Sequence, residues 1–460
     1  MRTNRFICAV LLFVAMFFTQ RASAQLKSSY FMEGSYFRTE LNPALRPTRG
    51  YIALPLISGY SGGVYSNYNS IDNFRYELNG EYISVYDKLV PANEFLGRLP
   101  NRCVQNINSN FNLFGLGFYT LGGTYFNLGA NIRLDTVNVI PKEYFRAMKN
   151  LSGEYDLENM SVGLNAYIEN YVGVSYQLGD NLAVGARVKF LIGVLNANLN
   201  VNKLSVVDTE KGQKYTLSGD IRTNSVEYDS SKYDGDTNPE IVAGDDASFV
   251  WNNLHSFGGA IDLGAEWTLW DDHLKLSAAI TDLGFIRWSS DTQVSGKFEM
   301  ELDPTDIVDL LDPVTMDMPK RFSDYTTRLT TNVTMGAEYN FLSNHFSVGL
   351  LSHTRFYSHA VATEFTASFN VRPTNWMTFT ASHTFLNGNT PGIFGAAVNI
   401  HPRAINIFFG MDYIGSRKNM TDFEPTTMSE VDSMRSPKAT SYNFYVGVGF
   451  NFGRPDFLIE

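Results

Sequence analysis

The sequence predicts an all-β protein, a transmembrane antiparallel β-barrel of about 14 strands (12–16), with an N-terminal segment folded into the lumen as a plug. Three observations predict it. The chain opens on an export signal, long tracts alternate between apolar and polar residues, and the composition suits strands and turns better than helices.

The export signal comes first. Arg2 and Arg5 precede an apolar stretch from Phe6 to Phe18, and Arg21 is followed by Ala22-Ser23-Ala24. A basic start, a short apolar core and an A-x-A ending mark residues 1–24 as a signal peptide, cut before Gln25. The stretch is too short to span a bilayer, so it directs export. Cys8 stands at the start of the apolar core instead of closing it, which argues against a lipoprotein. Residues 25–460 then form the barrel, with 25–50 and 66–109 as candidate plug or hatch segments.

Composition narrows the partners. The full chain has 36 Lys+Arg against 47 Asp+Glu, and the leader removes three arginines and no acid. So acidic a chain lacks the basic face that phosphate binding needs, and nucleic acid is not expected as a partner. Only Cys103 remains after processing, so no intramolecular disulfide is expected. Gly (37), Tyr (25) and Phe (34) are abundant, and no later run reaches eighteen apolar residues, which rules out membrane helices.

The alternation places the strands. Between Thr124 and Asp135 one face reads Phe126, Leu128, Ala130, Ile132 and Leu134, and the other Asn127, Gly129, Asn131, Arg133 and Asp135. Successive strand side chains point to opposite faces, so one surface is apolar and the other polar. The split recurs in 182–192, with Val184, Ala186, Val188 and Phe190 against Arg187 and Lys189. In 257–269, Ile261, Leu263, Ala265 and Trp267 oppose Asp262 and Glu266; in 329–341, Val333, Met335, Ala337 and Tyr339 oppose Glu338. Phe365, Ala367 and Phe369 oppose Glu364, and the last tract sets Phe444 to Phe452 against Asn443 to Asn451. Further strands are expected near Tyr51, Phe111, Ala166, Leu274, Phe346, Met377, Ile393 and Arg403, with two more tracts between Val194 and Glu227. A soluble sandwich also alternates, but its strands run about 5–6 residues, whereas these run roughly 10–13, the length of a tilted membrane strand. In hydrocarbon every backbone amide needs a partner, so such a sheet must close.

Short connections such as Leu121-Gly122-Gly123-Thr124 fit periplasmic turns, while 229–248, 303–322 and 416–440 fit extracellular loops. Tyr119, Trp267, Trp270, Trp288, Tyr339 and Trp376 at tract ends suit interfacial girdles. Asp303-Pro304 starts a short helix, 142–149 a second, and 82–97 has room for more. Leu41-Asn42-Pro43-Ala44-Leu45, with Arg46-Pro47 after it, reads as a restricted turn, making Asn42 and Pro43 the plug-motif candidates; the competing reading is a mobile periplasmic tail.

No catalytic centre emerges. The seven histidines (His255, His273, His345, His353, His359, His383, His401) lack metal spacing, and Ser382-His383 would point to opposite faces of a strand. Asp234, Asp236, Asn238 and Glu240 alternate as in calcium loops, but Pro239 intrudes and no downstream glutamate completes the set, so a solvated acidic loop is the better reading. No cofactor is expected. Arg133, Glu169, Arg187, Lys189, Asp262, Glu266, Glu338 and Glu364 share the polar face and are the lumen-facing candidates. Their mixed signs favour mutual pairing and fastening of the plug over an ion-selective ring.

LNPAL near the start, NAYIENYVGVSYQL and LAVGARVKFLIG in the middle, AAITDLGFIRW, and later NVRPTNWMTFTASHTFLNG, FGAAVNIHP and FFGMDYI carry a resemblance across most of the mature chain. With them the chain resembles an outer-membrane β-barrel family of Bacteroidota described only as a domain of unknown function. More distantly, an N-P-A segment ahead of a barrel is similar to the FadL fatty-acid transporters and the PorV-type proteins of the type IX secretion system. That resemblance implies about 14 strands and an N-terminal lumenal hatch, in contact with outer-membrane lipid. It also implies one of two activities. The first is passage of a small, apolar or amphipathic solute; the second is a membrane anchor for a secretion or surface-protein partner. No FadL ligand residue maps onto this chain, and the last strand ends at Phe452 ahead of GRPDFLIE instead of at a terminal aromatic.

Overall fold

The computed structural model describes residues 27–453 except 56, 69–70, 79, 88, 150–152, 210–211, 225–226, 229–240, 243–254, 290–293, 303–323, 387–392 and 415–441. The leader, the acidic stretch with Asp234 to Glu240, and the helix expected after Asp303 lie outside the described residues.

Fourteen antiparallel strands close into a transmembrane barrel. In chain order they are β1 (Gly50–Ala53 continued by Tyr60–Ser66), β2 (Arg102–Tyr119), β3 (Tyr125–Pro141), β4 (Gly153–Leu178) and β5 (Leu182–Thr209). Then come β6 (Ser256–Leu269), β7 (Leu274–Trp288), β8 (Tyr325–Arg328 continued by Thr331–Phe341), β9 (Phe346–Phe356) and β10 (Val361–Thr374). The wall ends with β11 (Met377–Leu386), β12 (Ile393–Ile400), β13 (Ile405–Ile414) and β14 (Tyr442–Phe452). Each strand pairs with the next, and β14 pairs with β1, so the ring has no free edge.

The two-residue rhythm is what closes the ring this way round. Val188, Phe190, Leu263, Met335, Leu350 and Phe365 lie on the outer face and are at least half exposed. Their neighbours Arg187, Lys189, Asp262, Thr334, Leu351 and Glu364 are buried on the inner one. The tracts expected between Val194 and Glu227 resolve differently from two barrel strands. β5 continues to Thr209, and Gly212–Thr223 pairs with its upper part and with Val294–Leu302, a small sheet rising beyond the ring.

The alternation slips where the backbone bulges. Asp282 adopts φ 59°, and the register of β7 on β6 shifts there. Before the bulge Leu276 and Ile280 face outward; after it Leu283 and Phe285 do, so Trp288 turns inward and is fully buried. Trp288 is therefore not a girdle residue; its Nε1 donates to Thr327 Oγ1 at 2.9 Å. Tyr119 is likewise turned in, its hydroxyl donating to the Pro47 carbonyl at 2.5 Å. Trp267, Trp270, Tyr339 and Trp376 face outward.

At the end opposite the short turns, a helix at Ala92–Arg98 and a hairpin of Arg75–Leu78 with Glu81–Ser84 form a lobe. Val85, Phe95 and Leu99 pack there on Cys103 and on Phe145 of the helix Lys142–Met148. Residues 102–109, grouped by sequence with the candidate hatch, are the first part of the β2 wall strand.

Candidate functional site in the lumen

Residues 27–49 are largely buried and contact strands all round the wall. Thr39 Oγ1 accepts from Arg187 of β5 at 3.0 Å, the Asn42 amide donates to the carbonyl of Ala265 in β6 at 3.3 Å, and Tyr30 bonds Ser277 of β7 at 2.9 Å. On the other side Lys27 pairs with Glu364 of β10 at 2.6 Å, the Gly34 carbonyl accepts from Asn406 of β13 at 2.6 Å, and Ser28 bonds Tyr445 of β14 at 2.9 Å. Between these polar anchors Met32, Tyr36 and Phe37 pack on Tyr51, Tyr125, Phe408 and Tyr445, with Tyr36 stacked on Tyr51 at 4.2 Å. This aromatic packing gives the lower lumen an interior like that of a soluble core.

Asn42 and Pro43 make the tightest approach to the wall. Asn42 Oδ1 accepts the Ala44 amide at 2.9 Å, so the restricted turn read from LNPAL is closed as an Asx turn. The turn fits because the wall is glycine there. A Cβ on Gly264 would run into Asn42, and one on Gly185 into the Pro43 carbonyl. Arg46 then reaches the short-turn end, donating to Gly123 O and to Gln177.

The lumen-facing candidates sort into three groups. In the first, Arg133 of β3 meets Glu169 of β4 at 2.9 Å and Asp282 of β7 at 3.1 Å. Lys189 of β5 meets Asp282 at 2.6 Å, Asp262 of β6 at 2.9 Å and Glu169 at 3.5 Å, while Arg187 stacks over Tyr171 with its guanidinium 4.0 Å from Asp262. In the second, Glu364 takes both Lys27 and Arg355 of β9, and Arg355 donates to Asn106 of β2 across the lumen at 3.4 Å. In the third, Arg372 of β10 meets Glu338 of β8 at 2.6 Å and donates to the Phe31 carbonyl at 2.9 Å. Glu33 joins this group through Arg372 at 4.0 Å and pairs with Lys275 of β7 at 2.6 Å. Glu266 stands apart, 3.9 Å from Arg38. Buried charges are costly unless paired, and each of these lies within 4.0 Å of an opposite charge, although Arg187 Nε, Arg372 Nε and Asp262 Oδ2 make no hydrogen bond among the described residues.

Two carboxyls of the inserted segment respond in opposite ways. Burial pushes Glu33 up, but Lys275 and Arg372 outweigh it and hold the carboxyl below the usual range. Burial pushes Glu40 up to about 7 against the pull of Arg187; Asn110 donates to it at 2.8 Å.

Asp282, Arg355, Arg372, Lys275, Glu33 and Glu40 also belong to this network: Arg355, Arg372 and Lys275 lie in phase on the inner faces of their strands, Glu33 and Glu40 lie in the irregular segment, and Asp282 alone of the six breaks a strand's alternation. Asp282 sits at the bulge, where two successive residues, Thr281 and Asp282, are both buried. The signal available was the phase break in Ile280-Thr281-Asp282-Leu283. Ser382 and His383 do point apart, Ser382 toward Asp412 at 3.4 Å and His383 between Phe385 and Phe394. Among the described residues no group of three or more His, Cys, Asp or Glu side chains is placed to hold a metal.

A family model described as a family of unknown function (DUF5723) matches residues 43–412. No curated protein matches the sequence. Among solved structures the chain is similar to the Pseudomonas putida toluene transporter TodX, at 9% identity over 91% of this chain and 95% of that one, with TM-score 0.38. It is also similar to a Pseudomonas aeruginosa FadL homologue, at 11% identity, 89% and 92% coverage and TM-score 0.40. The translocator domain of the Neisseria meningitidis autotransporter NalP aligns at 8% identity, 93% and 97% coverage and TM-score 0.34.

Proposed function

For this chain, which belongs to the DUF5723 family of unknown function, we propose an outer-membrane barrel that passes a small solute through a lumen stoppered by residues 27–49. The outward apolar wall supports the membrane placement, and the short turns at one end support a periplasmic orientation for that end. The observation that carries the reading is how the segment is held. It is buried along its length, yet many of its anchors are single polar contacts and its turn rests on wall glycines. Such a fit can dissociate without breaking the strand ladder. The resemblance implies an apolar or amphipathic solute; the Asn, Ser, Thr and ion-pair lining of the upper lumen supports an amphipathic or polar one.

Deleting residues 27–45 is expected to leave a folded barrel with higher conductance in planar bilayers and faster entry of small solutes into liposomes. A folded deletion variant no more permeable than the intact protein would remove the stopper from the account. Intact protein and variant both impermeable to every solute would remove the conduit.

A second reading, an anchor for a secretion or surface-protein partner, is favoured by the small sheet of Gly212–Thr223 and Val294–Leu302 that rises beyond the ring. Crosslinking on intact cells that recovers no stoichiometric partner would count against it.

A further inference from the structure

Beyond the charged layer, on the long-loop side, lies a cavity of ≈ 370 Å³. Its floor is set by register. Ser161, Gly163 and Asn165 of β4 lie opposite Asn200, Asn198 and Asn196 of β5, and Asn200 and Asn198 lie opposite Asp220 and Arg222 of the rising sheet. Directly paired residues share a face, so these side chains form one polar grid. Gly163 at its centre leaves room for the amide of Asn198: a Cβ there would sit 2.9 Å from Asn198 Oδ1. The grid is braced from within. Asn196 donates to Asn165 at 2.5 Å, Asn198 to Asn196 at 2.7 Å and Asn200 to Asp220 at 3.3 Å, and Tyr325 on β8 donates to Asn196 at 2.5 Å. Val137, Val139 and Leu329 add apolar surface, and Arg328, Ser358, His359 and the threonines of 326–330 also line it.

The size falls in the ~300–1,000 Å³ range of small-molecule sites, and the lining matches one chemistry. A side-chain amide offers a donor and an acceptor side by side, as a hydroxyl does, so braced amides recognise ligands rich in hydroxyls. The apolar patch suits the C–H face of such a ligand. Two guanidiniums, Arg222 and Arg328, also line the cavity, and Arg222 stands 4.0 Å from Asp220; they add donors that a ligand hydroxyl can accept from.

We infer that this cavity binds a small polyhydroxylated solute, a sugar or polyol. The inference deepens the proposed passage by naming its solute class, and it rests on that reading only for the direction of travel; binding itself does not depend on transport. The test is calorimetric titration of the full-length protein in detergent with glucose, galactose, mannose and maltose, and with octanoate as apolar probe. Saturable binding of at least one sugar is expected, weakened at least tenfold by Asn198→Leu and unchanged by the outward Phe190→Leu. Heat-modifiable migration on gels reports whether each variant folds. Should Asn198→Leu misfold, Tyr325→Phe, which removes a single oxygen, is expected to weaken binding measurably. The site is overturned if no sugar binds, if octanoate binds and sugars do not, or if the folded variants bind like the parent. Sugar binding without liposome entry would overturn the passage alone, and entry without saturable sugar binding would overturn the site alone.

Discussion

Glu40 carries a titration in the inserted segment whose range falls near neutrality. It faces Arg133 from β3, Glu169 from β4, and Arg187 and Lys189 from β5, with Asn110 of β2 bonded to it. Burial raises its pKa from the ordinary 4.5 to about 7. Below about 4.5 the carboxyl is protonated whether the segment is docked or released, and docking is unhindered. As pH climbs toward 7 the released form gives up its proton while the docked form keeps it, so docking weakens by on the order of 3 kcal/mol and then levels off. Glu40→Gln is expected to abolish this dependence; bilayer conductance measured from pH 4 to pH 8 would rise with pH in the parent and stay flat in the variant. A parent with a flat profile would sink the argument. The sequence shows the polar face that holds Arg133, Glu169, Arg187 and Lys189, because each sits in an unbroken alternating tract. It hides Glu40, which lies in an irregular segment where burial follows from tertiary position and not from period.

A strand's glycines matter here less for their own flexibility than for what lies above them. Gly185 on β5 faces the lumen with the Pro43 carbonyl against it, so Gly185→Val has no room while the segment is docked. Overpacking of this kind costs roughly 1–3 kcal/mol, enough to reduce the docked fraction about tenfold at ~1.4 kcal/mol. The expected outcome is a folded barrel with raised conductance and faster proteolysis of residues 27–49 from the short-turn side; unchanged conductance would show that the segment yields without leaving. Among elements, β3, β6, β9 and β10 can be read directly from the two-residue period. The rising sheet cannot, since Gly212–Thr223 alternates like a wall strand but pairs only above the ring. Nor can Trp288, whose inward turn depends on a single left-handed residue six positions earlier. Local pattern fixes which side chains share a face, whereas the partner of that face is a property of the closed sheet.

The whole molecule depends on the outer wall being wetted by lipid. Val188, flanked by the buried Arg187 and Lys189, is 65% exposed on that wall. Val188→Lys is expected to cost about 2–4 kcal/mol in vesicle-embedded protein if the residue lies near the bilayer midplane, measured by denaturant titration. No loss there would contradict a membrane-facing surface. Closure itself was legible from strand length and alternation, since long half-apolar strands have no stable open arrangement in hydrocarbon. The seam was not. It falls at β1, whose two short pieces are joined through residues 54–59, where pairing with β14 slips by four positions. Tyr36 of the inserted segment donates to the Ser58 carbonyl in that junction. The first strand and the last thus meet across some four hundred residues of chain, and they meet around what precedes them. The closing pair of strands therefore carries a contact from the inserted segment on its junction, so what holds that segment also touches the place where the cylinder is joined.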